Sequence, residues 1–305
     1  MSEAKVLAVT GATGFVGSAV IDRALKMGHS VRALTRRDQS AREGLEWVKG
    51  TLEDEEALAN LCKGADAVIH IAGLTNTPDV TEFEKANVTG TANVIAAAKG
   101  AKVGRFVFVS SLAARKPDLS AYGASKARAE ELVKTSKLDW TMVRPPAVYG
   151  PRDIDMYDLF RSAKLGLVPL PPGGATSIIH VGDLASLLVT LANRARLKVI
   201  YEPDDGREGG WSHKELAQAI GKAMGRRRVF APHLPANVLS IAANADKRLR
   251  GDKAKLTPDR VGYMSHPNWV SRSDHAVPED IWQPQIGGEE GLRQTAEWYK
   301  AEGWL

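Results

Sequence analysis

Three glycines recur at a three-residue interval in Thr10-Gly11-Ala12-Thr13-Gly14-Phe15-Val16-Gly17, where an apolar run gives way to a helical pattern. Residues 6–10 read as a buried strand, and 18–27, with Val20, Ile21 and Leu25 on one face, as a helix that Gly28 ends. A chain with this junction is committed to a tight strand-turn-helix unit. Gly11 permits the turn, Gly14 removes a Cβ from where backbone N–H groups point, and Gly17 lets the helix lie close on the strand. The open N–H groups and the positive dipole end of the helix favour an anion, and the pyrophosphate of a dinucleotide suits that geometry. Thr13, Phe15 and Val16 share the loop and complete this binding set. The spacing is G-x-x-G-x-x-G rather than the commoner G-x-G-x-x-G, so the strand before, the helix after and the position near the start of the chain carry the assignment.

The first half of the chain continues the alternation. Strands are predicted over 31–35, 46–49, 67–72, 105–110 and 140–144, and helices over 55–63, 82–99 and 122–136. Continuous apolar runs such as Phe106-Val107-Phe108-Val109 belong to strands covered on both faces. The fold class is therefore α/β, a doubly wound parallel sheet of the Rossmann type over residues 1–150. Beyond Pro145-Pro146 the pattern is less regular: a Pro/Gly-rich loop at 169–174, a short strand into Val181, helices over 183–194, 212–224 and 289–302, and a strand near Val199. Residues 151–305 are expected to form mainly a smaller substrate-side lobe, with some elements completing the core.

Composition narrows the function class. The 305 residues are 44% apolar, which excludes disordered and fibrous chains. No run approaches the roughly 18 apolar residues of a membrane span, and no signal peptide opens the chain, so a soluble, cytoplasmic protein without a membrane partner is expected. The net charge of +5 comes from dispersed basic residues, apart from Arg226-Arg227-Arg228 and the stretch 247–255, and no stacking aromatics interleave them; no nucleic-acid partner is expected. The single Cys62 reads as a buried, inert thiol, and the seven histidines show no metal-ligand spacing.

About 20 residues past such a glycine turn, a carboxylate commonly binds the adenosine ribose. Here the second strand ends in Thr35-Arg36-Arg37. Guanidinium groups cannot accept from a ribose hydroxyl but pair with a 2′-phosphate, so NADP(H) is preferred and NAD(H) is the alternative. The second carrier of chemistry is Tyr122-Gly123-Ala124-Ser125-Lys126. Its Tyr and Lys, four residues apart, share one helix face just beyond the fifth strand, whose end Val109-Ser110-Ser111 lies at the carboxyl edge where open α/β sheets place ligands.

On these motifs the chain resembles the short-chain dehydrogenase/reductase superfamily, and more closely its extended branch of NAD(P)-dependent epimerases, dehydratases and reductases. Val68-Ile69-His70-Ile71-Ala72-Gly73, Asn87-Val88-Thr89-Gly90-Thr91, Arg144-Pro145-Pro146-Ala147-Val148-Tyr149-Gly150-Pro151 and His180-Val181-Gly182-Asp183-Leu184-Ala185 extend the similarity over nearly the whole length. The resemblance implies that Tyr122 is the general acid/base, that Lys126 holds the nicotinamide ribose and lowers the tyrosine pKa, and that Ser111, or its neighbour Ser110, binds the substrate oxygen. It implies that Leu52, Ala72, Gly73, Pro145 and Val148 border the cofactor, that Asn87 supports the lysine or else only bonds within the sheet-helix interface, and that a homodimer pairs through the helices at 82–99 and 122–136. A phenol of pKa about 10 needs such tuning to exchange protons near neutrality, and a neighbouring ammonium supplies it. His180 reads as a satisfied core histidine, and Asp183 as the cap of the following helix.

Two departures shape the expected chemistry. Gly50-Thr51-Leu52 stands where the family has Gly-Asp-Leu, and Ala175-Thr176-Ser177 where sugar-nucleotide enzymes carry a diphosphate-binding arginine. The expected function is an NADP(H)-dependent oxidoreductase that interconverts a carbonyl and a secondary alcohol on a small molecule. The alternatives are a nucleotide-sugar epimerase or dehydratase and, from another class, a non-catalytic cofactor-binding regulatory or assembly protein.

Overall fold

The computed structural model describes residues 4–194, 198–251 and 254–305. In chain order it forms β1 (Val6–Thr10), α1 (Phe15–Lys26), β2 (Ser30–Thr35), β3 (Leu45–Lys49), α2 (Glu55–Cys62), β4 (Ala67–His70), and α3 (Thr81–Phe83), which runs through a π-helical segment, Glu84–Thr89, into α4 (Gly90–Gly100). There follow β5 (Arg105–Val109), a 3₁₀ turn at Leu112–Arg115, α5 (Ala121–Thr135), β6 (Trp140–Val143), β7 (Ala147–Tyr149), α6 (Tyr157–Lys164), β8 (Ala175–Thr176), β9 (Ile178–His180) and α7 (Val181–Asn193). The chain ends with β10 (Val199–Tyr201), β11 (Trp211–Ser212), α8 (His213–Ala223), α9 (Ala236–Arg250), α10 (Pro258–Met264), β12 (Asn268–Trp269) and α11 (Gly288–Ala301).

Two compact units result: residues 1–144 with 184–201, and residues 145–183 with 202–305. In the first, seven strands pair in the order β10-β6-β5-β4-β1-β2-β3, all parallel. This is the doubly wound Rossmann arrangement expected from the alternating pattern. Its central strands are buried along their length, Leu7, Ala8 and Val9 in β1 and Phe106, Val107 and Phe108 in β5 being inaccessible to solvent. Helices on both faces account for that burial. The strand order reverses between β1 and β4, and ligands of such sheets sit at the carboxyl ends beside that switch.

Local chemistry explains where elements begin and end. Helix α1 starts three residues earlier than the apolar spacing predicts because Gly14 already occupies the N-cap position. Ser120 accepts the Gly123 N–H at 2.9 Å, so α5 opens at Ala121 and carries Tyr122 in its first turn. Strand β4 stops at His70: Ile71 N–H still bonds Thr10 O at 3.3 Å, but Ala72 N–H turns to the side-chain Oγ1 of Thr10, also at 3.3 Å. Cys62 is fully buried, and desolvation pushes its thiol up to about 11, an inert group.

The second unit is built around rings. Tyr149, Phe160 and Tyr299 are fully buried, with Tyr157, Trp298 and Trp304 packed against them. Its strands are short, β7 pairing with β9 and β8 lying between β11 and β12. Helices α9 and α10 have no counterpart in the sequence reading. Asp183 is corrected: it lies inside the first turn of α7 rather than capping it, and its Oδ2 accepts the N–H groups of Gln285 and Ile286 at 3.0 and 2.9 Å, fastening a distant loop.

Candidate active site

The glycine turn is held by contacts that leave no room for side chains. Gly11 has φ +70°, and a Cβ there would come within 2.7 Å of Ala72 N; at Gly17 it would lie 2.0 Å from Gly11 O. The turn therefore abuts Ile71-Ala72, just past the end of β4, while Thr13 and Gly14 stay exposed at its tip. No side chain caps α1, so its first-turn N–H groups point out of the turn without a protein side-chain acceptor. Such a cradle suits a phosphate-bearing dinucleotide. At the end of β2, Arg36 and Arg37 are exposed and their guanidinium groups make no hydrogen bond or ion pair among the described residues, whereas Thr35 Oγ1 donates to Arg37 O at 2.7 Å and fixes their turn. The nearest carboxylate in sequence, Asp38, is paired with Lys49 at 2.8 Å. Leu52 follows β3, its carbonyl accepting from Asn93 Nδ2 at 2.8 Å.

Helix α5 carries the candidate reactive face. Tyr122, Lys126 and Glu130 recur every four residues and are all buried. Lys126 Nζ donates to Val109 O at 2.7 Å and lies 4.6 Å from the Phe108 ring centroid. Burial pulls this ammonium down to about 8, opposed by the Glu130 charge. Tyr122 packs on Phe83 with 5.8 Å between ring centres. Gly123 admits the Ser111 turn: a Cβ there would stand 2.8 Å from Ala113 O, so the turn backbone rests directly on α5 beside Tyr122.

The two serines at the end of β5 are not equivalent. Ser110 Oγ donates to Glu130 Oε1 at 2.6 Å, and Glu130 in turn receives Nε and Nη2 of Arg144 at 2.8 and 2.6 Å. Ser111 caps the 3₁₀ turn through the Ala113 N–H at 3.2 Å and is half-buried. Asn87, on the π-helical segment, holds Leu74 by both its N–H, 2.7 Å, and its carbonyl, 3.0 Å, and donates to Ser125 Oγ at 2.9 Å. The Cβ that Gly73 lacks would meet Asn87 Oδ1 at 2.7 Å and lie 3.9 Å from Lys126 Nζ. Thus Ala72-Gly73, Asn87, Tyr122, Lys126 and the Ser111 turn converge in the first unit. Pro145 and Val148 belong to the second unit, Val148 in β7 opposite Ile179.

Two sets of residues escaped the sequence reading. Glu130 and Arg144 form the buried ion pair behind the site; a carboxylate four residues past Lys126 and a cation just after a core strand were its only signal. The second set is a relay with one consistent donor direction. Ala72 N–H donates to Thr10 Oγ1, whose hydroxyl faces His70 Nδ1 at 2.6 Å; His70 Nε2 meets Thr91 Oγ1 at 3.0 Å, and Thr91 donates to Asn87 O at 2.6 Å. Because Thr91 gives its proton to Asn87, His70 must carry its own on Nε2. Desolvation holds it neutral, with a pKa down at about 3.

The parallel sheet and its glycine turn define a dinucleotide-binding fold. Comparison with known proteins gives the family. Residues 11–194 match the family model described as NAD(P)H-binding. The chain is 33% identical to a ceramide reductase of Caulobacter vibrioides over 98% of its own length and 96% of the relative's. It is 32% identical to a 4-hydroxy-2-methyl-3-oxo-4-farnesyl-3,4-dihydroquinoline-1-oxide ketoreductase of Stigmatella aurantiaca, over 88% and 96%. The crystal structure of gox2253 superposes with a TM-score of 0.78 at 26% identity, covering 99% of this chain and 100% of that one. The chain belongs to the extended short-chain dehydrogenase/reductase family, which includes the NAD-dependent epimerases and dehydratases. It is an NAD(P)-dependent enzyme of the oxidoreductase/epimerase class, and no helix among its described residues is long and apolar enough to cross a membrane.

Proposed function

We propose that this enzyme uses NADP(H) to interconvert a ketone and a secondary alcohol on a small molecule bearing a hydrocarbon chain. The observation that carries the reading is the buried Lys126 ammonium one helical turn from Tyr122, at the carboxyl end of β5. An ammonium at that place favours the phenolate, so the tyrosine can yield its proton to a carbonyl oxygen and recover one in the reverse direction. Val109 O fixes the lysine head, and Asn87, through Ser125 and Leu74, steadies the helix and the loop on either side of it. Ser110 is committed to Glu130, which leaves the Ser111 hydroxyl to orient the substrate oxygen. The cradle at Gly11, Gly14 and Gly17, with Thr13, Phe15 and Val16, fits the pyrophosphate; Leu52, Ala72 and Gly73 of the same unit line the rest of the cofactor. When bound, the nicotinamide supplies or accepts the hydride.

The unpaired Arg36 and Arg37 support a 2′-phosphate, hence NADP(H) over NAD(H). The substrate class draws on the relatives, which act on ceramide and on a farnesylated quinoline ketone, each carrying a long hydrocarbon. Reductases and epimerases both occur among the relatives, but Ala175 and Thr176 offer no cation for a sugar diphosphate; both sit in β8, paired on either side.

The test is net NADPH oxidation with ketones of increasing alkyl length, beside UDP-glucose. We expect kcat/KM to rise with chain length and Tyr122→Phe to lower it about 10²–10⁴-fold with no change in Tm. Conversion of UDP-glucose without net cofactor turnover would overturn the reading in favour of an epimerase. NADPH binding with no turnover of any ketone would leave a cofactor-binding regulatory protein.

A further inference from the structure

We infer that the second unit carries a docking surface for an anionic membrane, at a tip where the loop after α6 meets the loop after α8. The two loops are joined by backbone. Phe230 N–H donates to Gly166 O at 2.8 Å and Val168 N–H to Phe230 O at 2.9 Å, while Arg226 Nε reaches Lys164 O at 3.0 Å. Along these paired segments the side chains alternate. Val168 and Val229 point into the aromatic core, and their neighbours point out, with Leu165 80%, Phe230 71% and Leu167 44% exposed. One exposed leucine needs no explanation, but three large apolar groups on one hydrogen-bonded tip form a patch.

Charge identifies the partner. Residues 162–167 and 224–233 contain Lys164, Arg226, Arg227 and Arg228 and no carboxylate. Arg227 and Arg228 are exposed and make no hydrogen bond or ion pair among the described residues. Apolar wedges ringed by guanidinium groups match acyl chains beneath anionic headgroups. The next segment repeats the pattern. After Leu234 N–H bonds Leu170 O, the chain enters α9, which buries Leu239 and Ala243 but leaves Val238, Ile241 and Leu249 exposed along one stripe, 42%, 69% and 85%. Its last turn holds Lys247, Arg248 and Arg250. The sequence-level expectation of no membrane partner rested on the lack of a spanning run; lying on a surface requires none. The inference goes beyond the catalytic reading and does not rest on it.

The test is flotation of the full chain with vesicles of phosphatidylcholine alone or of phosphatidylcholine and phosphatidylglycerol in equal parts. We expect attachment to the anionic vesicles only, weakened by salt. The double variant Leu165→Asp/Phe230→Asp should lower the bound fraction at least about tenfold, and Arg227→Ala or Arg228→Ala about fivefold each. NADPH affinity and Tm should be unchanged, because these side chains are exposed. No attachment to anionic vesicles, or equal attachment of the variants, overturns the proposal. So does a sedimentation mass showing a dimer that only the double variant breaks, which would assign the patch to a second copy of this chain. Flotation reads attachment and not turnover, so its failure is separable from that of the reductase reading.

Discussion

Each unit buries a carboxyl, Glu130 in the first and Asp153 in the second, and the two are treated in opposite ways. In the first, Glu130 meets a guanidinium through two hydrogen bonds and a hydroxyl through a third, and Lys126 lies within the field of the same carboxylate. In the second, the Asp153 carboxyl faces only backbone donors, the N–H groups of Asp155 and Met156 at 2.8 and 3.2 Å. Burial pushes it up to about 7, against those hydrogen bonds and the more distant Arg260. At Glu130 buried charge is retained by opposing it; at Asp153 it is resisted, the carboxyl keeping its proton up to about pH 7. The difference follows the partners at hand, since Glu130 has the Arg144 guanidinium within hydrogen-bond reach, whereas Asp153 has only backbone N–H groups.

The contrast can be broken most severely at Lys126. Lys126→Met should lower turnover about 10³-fold while raising Tm, because an ammonium held at about 8 instead of the usual 10.5 destabilises the fold below that range, by about 3 kcal/mol at pH 7. For the same reason wild-type stability should rise with pH from about 8 to 10.5, where the unfolded chain still binds the proton and the folded one does not. A fall in Tm for Lys126→Met would show that the lysine is a structural tie. Asp153 has the opposite sign. With its folded value raised from 3.8 to about 7, its contribution is complete below pH 3.8 and lost as pH climbs through 7, roughly 4 kcal/mol in all. Asp153→Asn should flatten that part of the denaturation-against-pH curve; an unaltered curve would refute the buried-acid assignment.

Smaller effects sharpen the comparison. Glu130→Gln leaves Arg144 buried without its counter-charge, and urea unfolding should show a loss of about 3 kcal/mol. A loss below about 1 kcal/mol would mean that water reaches Arg144 and the pair is only superficial. The mildest change is Arg36→Ala, which should weaken NADPH about tenfold and leave NADH affinity in place. Equal loss for both would remove the phosphate from that site.

How much of this was legible beforehand depends on how far apart the partners are in the chain. The glycine turn, the strands and the Tyr122/Lys126 face are local patterns of two to seven residues, and each can be read where it stands. Glu130 and Arg144, or Thr10 with His70 and Thr91, are separated by 14, 60 and 21 positions, and no local rule pairs them. Ser110 and Ser111 are adjacent and chemically identical. Only the direction in which each leaves β5 commits the first to Glu130. Asp183 misled because a carboxylate at a helix start is a cap far more often than a clamp on a loop a hundred residues away. Helix α9 escaped because its buried side is just Leu239 and Ala243, too narrow a stripe to announce a helix against a core.

The sequence alone therefore determined the doubly wound sheet, the glycine turn between β1 and α1 and the shared face of Tyr122 and Lys126, since backbone geometry at glycine and helical periodicity are properties of neighbouring residues. Tertiary structure alone decided which serine remains available, which charges are opposed and which apolar side chains end up outside. Those outcomes depend on which distant segments the burial of the central strands brings together, and on the need of every buried polar group to find its partner there.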